Sequence, residues 1–230
     1  MSAAREQYLE LLGITRWELR GRPRSEAAMP EPESSPSPSP LPAEPAWPAL
    51  EAEVAACMAC ALHETRTQTV FGVGNRNADW MVVGEAPGFE EDRQGEPFVG
   101  RAGQLLDRML LAAGFQREDV FIANILKCRP PNNRDPRPEE AAACSGFLRR
   151  QIEWVAPKLI LCVGRIAAQN LLATSESTGK LRGKVHRHPE TGTPVIVTYH
   201  PAYLLRQPSE KRKAWEDLKL AMRVARGEAG

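Results

Sequence analysis

The chain has 230 residues, enough for one domain with a tail, and its formal net charge of +1 creates no global field typical of a nucleic-acid binder. Any basic binding surface must therefore be local. Five cysteines do not suggest a secreted disulfide scaffold, and clustered cysteines in a reducing compartment more often bind metal. We find no signal-peptide pattern and no apolar run near the ~20 residues that span a membrane, so we expect a soluble intracellular protein.

The N-terminal part differs in composition from the rest of the chain. Residues 1–22 contain the apolar spacing of a short amphipathic helix, which is either a docking peptide for a protein partner or a plain terminal extension. Residues 23–48 are rich in Pro and Ser and cannot form a packed core, so we predict a disordered linker. The remaining segment, residues 49–230, has the pattern of a globular domain.

Strand and helix patterns alternate after this linker. Strands are predicted at residues 80–84, 120–126, 158–164 and 193–199. Helices are predicted at residues 49–62, 102–113, 138–154, 165–173 and 209–226. Because strands alternate with helices, we expect the α/β class, as a three-layer α/β/α sandwich with a central parallel four-stranded sheet.

The segments that follow the predicted strands carry the richest chemistry. In parallel sheets, ligands bind beyond the carboxyl ends of the strands. The relevant segments are residues 85–88, 127–130, 164–165 and 200–202, with Asn124 inside the second predicted strand. We expect these residues to converge on one edge of the sheet.

Four of the five cysteines form a candidate metal site. Cys57 and Cys60 have the spacing that lets one turn present two thiolates to one centre, and Cys128 and Cys144 supply a second pair. Four thiolates suit a [4Fe–4S] cluster or a structural zinc ion, and the alternative is four unrelated small buried residues. Cys162 lies inside an apolar strand and is predicted to be a core residue.

Two segments of the chain contain motifs that resemble those of a known family. Residues 84–110 contain Gly-Glu-Ala-Pro-Gly and Pro-Phe-Val-Gly-Arg-Ala-Gly, and residues 200–206 read His-Pro-Ala-Tyr-Leu-Leu-Arg. These motifs resemble the signatures of the family 4 uracil-DNA glycosylases over roughly residues 50–220. The resemblance implies a DNA-repair enzyme that flips uracil out of DNA and hydrolyses its N-glycosidic bond, leaving an abasic site. It also implies that a [4Fe–4S] cluster is bound by Cys57, Cys60, Cys128 and Cys144.

The predicted uracil site must accept an extruded base, recognise its edge and stabilise it as it leaves. Phe98 offers a flat face for stacking. Asn124 has both a donor and an acceptor and can pair with O4 and N3–H of uracil. His200 can donate to O2 as negative charge develops there. Each residue also has an ordinary structural interpretation: a core aromatic, a backbone-satisfying amide and a turn-capping histidine.

Two glutamates complete the predicted site. The resemblance implies that Glu91 crowds C5 of the base and so excludes the methyl group of thymine. Glu85 is predicted to orient the attacking water. No Asp stands where better-known glycosylase families place a water-activating acid, so the base catalyst stays open. The catalytic residues are therefore predicted as His200 and Glu85. The full set of predicted uracil-binding residues is Glu85, Ala86, Pro87, Glu91, Phe98, Asn124 and His200.

DNA contacts are predicted from local charge. The basic stretch between the third and fourth predicted strands contains Lys180, Arg182 and Lys184, and other basic residues flank Cys128. The tip at residues 203–205 could insert Leu205 into the base stack, next to Arg206. The alternatives are a solvated charged face and ordinary core leucines.

Two other functions compete with this interpretation. One is a superfamily relative with a different lesion range or a base-trapping reaction, but the basic insert that such relatives carry beyond Arg101 is missing. The other is a non-catalytic DNA-binding module with a structural metal cluster. The expected partner is uracil-containing DNA, and we expect a cytoplasmic bacterial monomer that associates with the nucleoid when bound to DNA.

Overall fold

The computed structural model describes residues 46–228. The predicted N-terminal helix and nearly all of the predicted linker lie outside the described residues. Within residues 46–228, no helix is long and apolar enough to cross a membrane.

One mixed sheet organises the described part of the chain. Its strands are β1 (Val73–Gly74), β2 (Trp80–Gly84), β3 (Phe121–Asn124), β4 (Leu159–Val163), β5 (Val185–Arg187) and β6 (Pro194–Thr198). The strand order is β1-β3-β2-β4-β6-β5. The four central strands are parallel, as predicted, whereas β1 and β5 are antiparallel edge strands that the sequence analysis did not identify. The sheet therefore has six strands rather than four.

Helices surround this sheet. They are α1 (Trp47–Ala56), α2 (Phe89–Gln94), α3 (Arg101–Ala112), α4 (Pro138–Val155), α5 (Arg165–Leu171), α6 (Thr178–Leu181), α7 (Pro201–Arg206) and α8 (Lys211–Ala225). Helix α1 begins at Trp47, which is buried against the aromatic ring of Phe121, two residues before the predicted domain boundary. It ends at Ala56, so the cysteine pair follows the helix and does not form its last turn.

Both faces of the sheet are covered, which confirms the three-layer sandwich. Successive side chains of a strand point to opposite faces. Met81 and Val83 belong to a core with α4 and α5, whereas Trp80 and Val82 belong to a second core with α3 and α8. Because both faces are buried, the central strands are continuous apolar runs and do not alternate with polar residues.

The strand register aligns the carboxyl ends that form the predicted site. Gly84 of β2 pairs with Asn124 of β3, and Val163 of β4 pairs with Thr198 of β6. The chain segments that leave these strands therefore start from the same edge of the sheet. The segment predicted as a tip at residues 203–205 lies in helix α7, which starts directly after His200 at this edge.

Candidate active site

A cleft lies at this carboxyl edge, and it brings together every residue predicted to bind uracil. Its lining includes Glu85, Ala86, Pro87, Glu91, Phe98, Asn124 and His200. Arg206 from the end of α7 and Arg101 from the start of α3 also line it. Of the four strand-end segments predicted to converge, residues 85–88 and 200–202 contribute to this lining together with Asn124, whereas residues 164–165 and 127–129 do not.

Phe98 is held in an unusual backbone conformation inside this cleft. Its φ of 56° lies in the left-handed region, which a bulky residue rarely adopts. The first turn of α3 approaches it closely, because a Cβ at Gly103 would lie 1.7 Å from the Phe98 carbonyl oxygen. Arg117 donates to this carbonyl at 3.4 Å and to that of Pro97. The surrounding structure therefore fixes a strained residue, as is common at functional sites.

Asn124 presents a buried acceptor without a partner. The residue is only 2% exposed, and its Oδ1 makes no hydrogen bond among the described residues. A Cβ at Gly84 would lie 2.4 Å from this oxygen and 2.5 Å from Cζ of Phe98. Only glycine at position 84 therefore lets the amide and the ring approach each other. An unsatisfied buried acceptor costs about 1–3 kcal/mol, so the arrangement favours a ligand that donates there.

His200 is fixed as a neutral donor. Its Nδ1 accepts a hydrogen bond from the Ala202 N–H at 3.1 Å, which assigns the ring proton to Nε2. The ring stacks with that of Phe98, with centroids 5.7 Å apart. Burial and the charge of Arg206 lower the pKa of His200 to about 4, against the opposing effect of Glu91. The imidazole is therefore neutral at physiological pH and has one N–H available.

Glu91 also has a structural role, as a hydrogen-bond acceptor for the backbone, that was not predicted from the sequence. Its carboxylate accepts hydrogen bonds from the backbone N–H groups of Gly88 at 3.1 Å, Val99 at 3.0 Å and Gly100 at 3.1 Å. It therefore joins the two ends of the segment that carries Phe98. The capping-box pattern at the start of α2 is a sequence signal for the first contact only. The predicted crowding of C5 is compatible with this position and stays a prediction.

Glu85 is poised to change protonation near neutral pH. Burial and the nearby charge of Asp135 raise the pKa of its carboxyl group to about 7, while Arg165 has an opposing effect. A carboxylate with a pKa near the working pH is suited to accept a proton. This property fits the water-orienting role that the sequence analysis assigned to Glu85.

The sequence of this chain is similar to those of known uracil-DNA glycosylases. The model of the uracil DNA glycosylase superfamily matches residues 71–219. The chain is 49% identical over 173 residues to a type-4 uracil-DNA glycosylase of Archaeoglobus fulgidus, covering 73% of this chain and 87% of that protein. The chain belongs to the type-4 uracil-DNA glycosylase family.

Two further type-4 uracil-DNA glycosylases match to a similar extent. The protein of Thermotoga maritima is 47% identical over 171 residues, covering 72% of this chain and 87% of the relative. That of Saccharolobus solfataricus is 45% identical over 174 residues, covering 73% of this chain and 81% of the relative. The family predicted from the motifs within residues 84–110 and 200–206 is therefore confirmed.

The four cysteines predicted as ligands line a single cavity in this type-4 family member. The lining contains Cys57, Cys60, Cys128 and Cys144. Two N–H groups point at sulfur: Arg66 donates to Sγ of Cys128 at 3.1 Å, and the Lys127 backbone N–H donates to Sγ of Cys144 at 3.3 Å. Among residues 46–228, no three His, Cys, Asp or Glu side chains surround one metal-ion position. Cys162 is fully buried in β4, as predicted.

Lys127 connects the cysteine cavity to the cleft at the carboxyl edge of the sheet. Its place in the sequence predicts DNA contact together with the other basic residues that flank Cys128, but Lys127 is only 1% exposed and cannot contact DNA. Its Nζ donates to Oε1 of Gln151 at 2.6 Å and to the Asn124 carbonyl at 3.0 Å. Burial lowers the pKa of this ammonium to about 8. No local sequence pattern distinguishes such a lysine from an exposed one.

The predicted DNA-binding residues fall into two groups. Lys180 and Lys184 are exposed but do not line the cleft, and Lys180 pairs with Glu176. Arg182 turns inward and pairs with the buried Asp217 at 3.0 Å, so the fold already engages its guanidinium.

Leu205 and Arg206 form the second group, at the end of α7 beside the cleft. Leu205 is 37% exposed, and Arg206 is exposed and lines the cleft, whereas Leu204 is buried. DNA contact by these residues stays a prediction.

Proposed function

We propose that this chain removes uracil from DNA by hydrolysing the N-glycosidic bond, leaving an abasic site. The observation that carries this proposal is the Oδ1 of Asn124, which is buried beside Phe98 in the lining of the cleft and has no partner among the described residues. Family membership supports the same activity, since the type-4 relatives are named as uracil-DNA glycosylases. A base can reach this oxygen only after it leaves the DNA stack.

The amide of Asn124 is complementary to the edge of uracil. Its Oδ1 can accept from N3–H, and its Nδ2 can donate to O4. Cytosine presents an acceptor at N3 and a donor at C4, so both contacts would be mismatched. The ring of Phe98 then supplies a stacking surface for the base.

The reaction needs water at C1′ and a stabilised leaving group at N1. Water forms the new bond to C1′ while the C1′–N1 bond breaks, and the bonding electron pair passes to uracil and spreads onto O2. The Nε2–H of neutral His200 donates to O2 as this charge appears, which lowers the barrier selectively. The Glu85 carboxylate orients the water and takes its proton.

Glu91 is proposed to exclude thymine. It lines the cleft, and its carboxylate is held in place by three backbone N–H groups. A side chain that cannot move aside is an effective steric wall, whereas a roomy apolar pocket discriminates weakly over one methyl group.

We further propose that Cys57, Cys60, Cys128 and Cys144 hold a [4Fe–4S] cluster. The donor set fits, because four thiols line one cavity with apolar walls from Leu62, Leu126 and Phe147. The two N–H groups aimed at sulfur suit thiolates that carry negative charge. When bound, the cluster would link segments that are distant in sequence.

A uracil-containing oligonucleotide tests the proposed function. Incubation followed by alkaline cleavage should cut the strand at uracil and leave a thymine-containing control intact. Asn124→Asp should slow excision about 10- to 100-fold, because a carboxylate cannot donate to O4 and leaves that oxygen unpaired. A DNA-binding module without catalysis would bind the strand but leave no alkali-sensitive site, and this result would refute the proposal.

A further inference from the structure

Phe89 is an exposed aromatic residue at the mouth of the cleft. It is the first residue of α2, directly after the Gly84–Gly88 turn, and it is 56% exposed. The other exposed large hydrophobic residues among residues 46–228 are Met58, Leu111, Leu205 and Trp215, and none of these lines the cleft. Phe89 does line it. Among residues 46–228, Phe89 is therefore the one exposed large hydrophobic residue that borders the cleft.

Arg129 supports this ring from a neighbouring segment. Its guanidinium carbon lies 5.1 Å from the centroid of Phe89, a cation–π distance. Its Nε donates to Oδ1 of Asn133 at 2.7 Å, which fixes the direction of the side chain. Although Arg129 contacts the ring, Phe89 keeps more than half of its surface accessible. The ring therefore has a neighbour on one side and still offers a surface to a ligand.

The charges around the cleft mouth fit a phosphate backbone. Arg101 and Arg206 line the cleft and are exposed. Within the described residues, no carboxylate forms an ion pair with Arg101, Arg129 or Arg206. A flat apolar surface near arginines that form no ion pair is the combination that binds single-stranded nucleic acid, since bases stack on the ring and phosphates pair with the cations.

We propose that Phe89, supported by Arg129, stacks against the nucleobase next to the extruded uracil. This proposal rests on the proposed function, because it assumes that uracil enters the cleft. It adds a second aromatic contact, distinct from Phe98, that holds the neighbouring nucleotide. The enzyme would then hold a short unstacked segment of the strand as well as the lesion itself.

A flanking-base comparison tests this stacking directly. Two single-stranded oligonucleotides carry one uracil each: in the first its neighbours are adenines, and in the second both neighbours are abasic analogues that keep the backbone. Single-turnover excision gives a half-saturating enzyme concentration and a limiting rate for each. We expect Phe89→Ala to raise the half-saturating concentration about 10-fold on the first oligonucleotide and less than 2-fold on the second.

Three other variants separate stacking from charge and from general surface effects. Phe89→Trp should restore tight binding of the adenine-flanked strand. Leu111→Ala removes the side chain of a similarly exposed residue, 58% exposed and outside the cleft, and should leave the binding of both oligonucleotides unchanged. Arg129→Gln should weaken the binding of both oligonucleotides, because phosphates are present in each.

The outcomes distinguish this proposal from the proposed function. Equal effects of Phe89→Ala on both oligonucleotides, or no effect on either, would overturn the stacking proposal while excision by the wild-type protein continues. If the wild-type protein excises uracil from neither strand, the proposed function fails instead. In that case, fluorescence anisotropy with the same two strands still measures whether Phe89 contacts a flanking base.

Discussion

The cleft and the four-cysteine cavity share the chain segment that follows β3, yet their linings are opposite. The cleft includes Asn124 and, among the described residues, presents polar groups with unused hydrogen-bonding capacity, such as Asn124 Oδ1 and His200 Nε2. The cavity begins beside Cys128 and presents sulfur among apolar side chains. Three residues separate Asn124 from Cys128, and Lys127 hydrogen-bonds toward both sides.

This difference indicates how the two sites should respond to substitution. The polar groups of the cleft form their missing hydrogen bonds only when a ligand is bound. A substitution that removes one of these groups should therefore affect catalysis more than stability. A cavity lined by thiols is stabilised when a metal centre joins its walls, so its loss should affect stability first. Four substitutions, from the largest expected effect to the smallest, test this separation.

His200→Ala should have the largest effect on catalysis. Loss of the N–H that faces the departing O2 should lower the single-turnover excision rate about 10²–10³-fold, or about 2.7–4 kcal/mol, the scale of a missing oxyanion donor. Iron content and DNA affinity should stay near the wild-type values. His188→Ala is the matched control, since His188 is also buried and caps a turn through Nδ1, but outside the cleft. A folded His200→Ala protein with a normal rate would end the assignment.

Cys144→Ser should affect the other region. Wild-type protein purified without oxygen should be brown, with broad absorbance at roughly 400 nm, and the variant should lose colour and iron. Its melting temperature should fall by roughly 5–10 °C, the shift that about 2–3 kcal/mol produces in a domain of this size. Cys162→Ala is the control and should keep its iron, because Cys162 is buried in β4. Colourless wild-type protein that contains stoichiometric zinc would contradict the cluster.

The Glu85 carboxyl group should make excision depend on pH. Because its pKa is raised to about 7, the excision rate should fall about tenfold per pH unit below pH 7 and level off above it. His200 should not contribute, because its pKa of about 4 keeps it neutral from pH 5 upward. Glu85→Gln should be slower at pH 8 and nearly independent of pH. An unchanged pH profile in this variant would exclude Glu85 as the proton acceptor.

The same raised pKa of Glu85 predicts that the stability of the protein falls with rising pH, whereas the excision rate increases. Folding favours the protonated form of Glu85, so the stability that this group contributes is present below about pH 4.5 and is lost as pH rises through about 7. Glu85→Gln should therefore melt at a higher temperature than the wild type at pH 8 but not at pH 4. A gain in stability with a loss of rate is the result expected for a catalytic group.

Glu91 is expected to show the smallest effect, because one side chain has two roles: it is proposed to exclude thymine, and it accepts hydrogen bonds that hold the backbone near Phe98. Glu91→Ala should excise thymine or other C5-substituted bases measurably while excising uracil more slowly, since three backbone N–H groups lose their acceptor. Glu91→Gln keeps the bulk and two of the acceptor contacts, so it should still reject thymine. Competition assays with uracil and thymine strands measure both. Equal rejection of thymine by the two variants would refute the steric wall.

The sequence predicts those features that have a local signal. The four central strands are apolar runs closed by turn residues, and the rule about strand ends places Asn124 and His200 in one cleft. The strands β1 and β5 have only two and three residues, too few for a periodic pattern. The burial of Lys127 and the ion pair of Arg182 with Asp217 arise from tertiary contacts. A charged residue near a predicted site is therefore the feature that sequence analysis assigns least well.

The three amide groups held by Glu91 also have a kinetic consequence. The N–H groups of Gly88, Val99 and Gly100 are bonded to one carboxylate, although they lie at opposite ends of the same segment. Withdrawal of that carboxylate frees all three N–H groups to exchange their protons with solvent at once. This motion therefore couples the exchange of the two ends of the segment that carries Phe98.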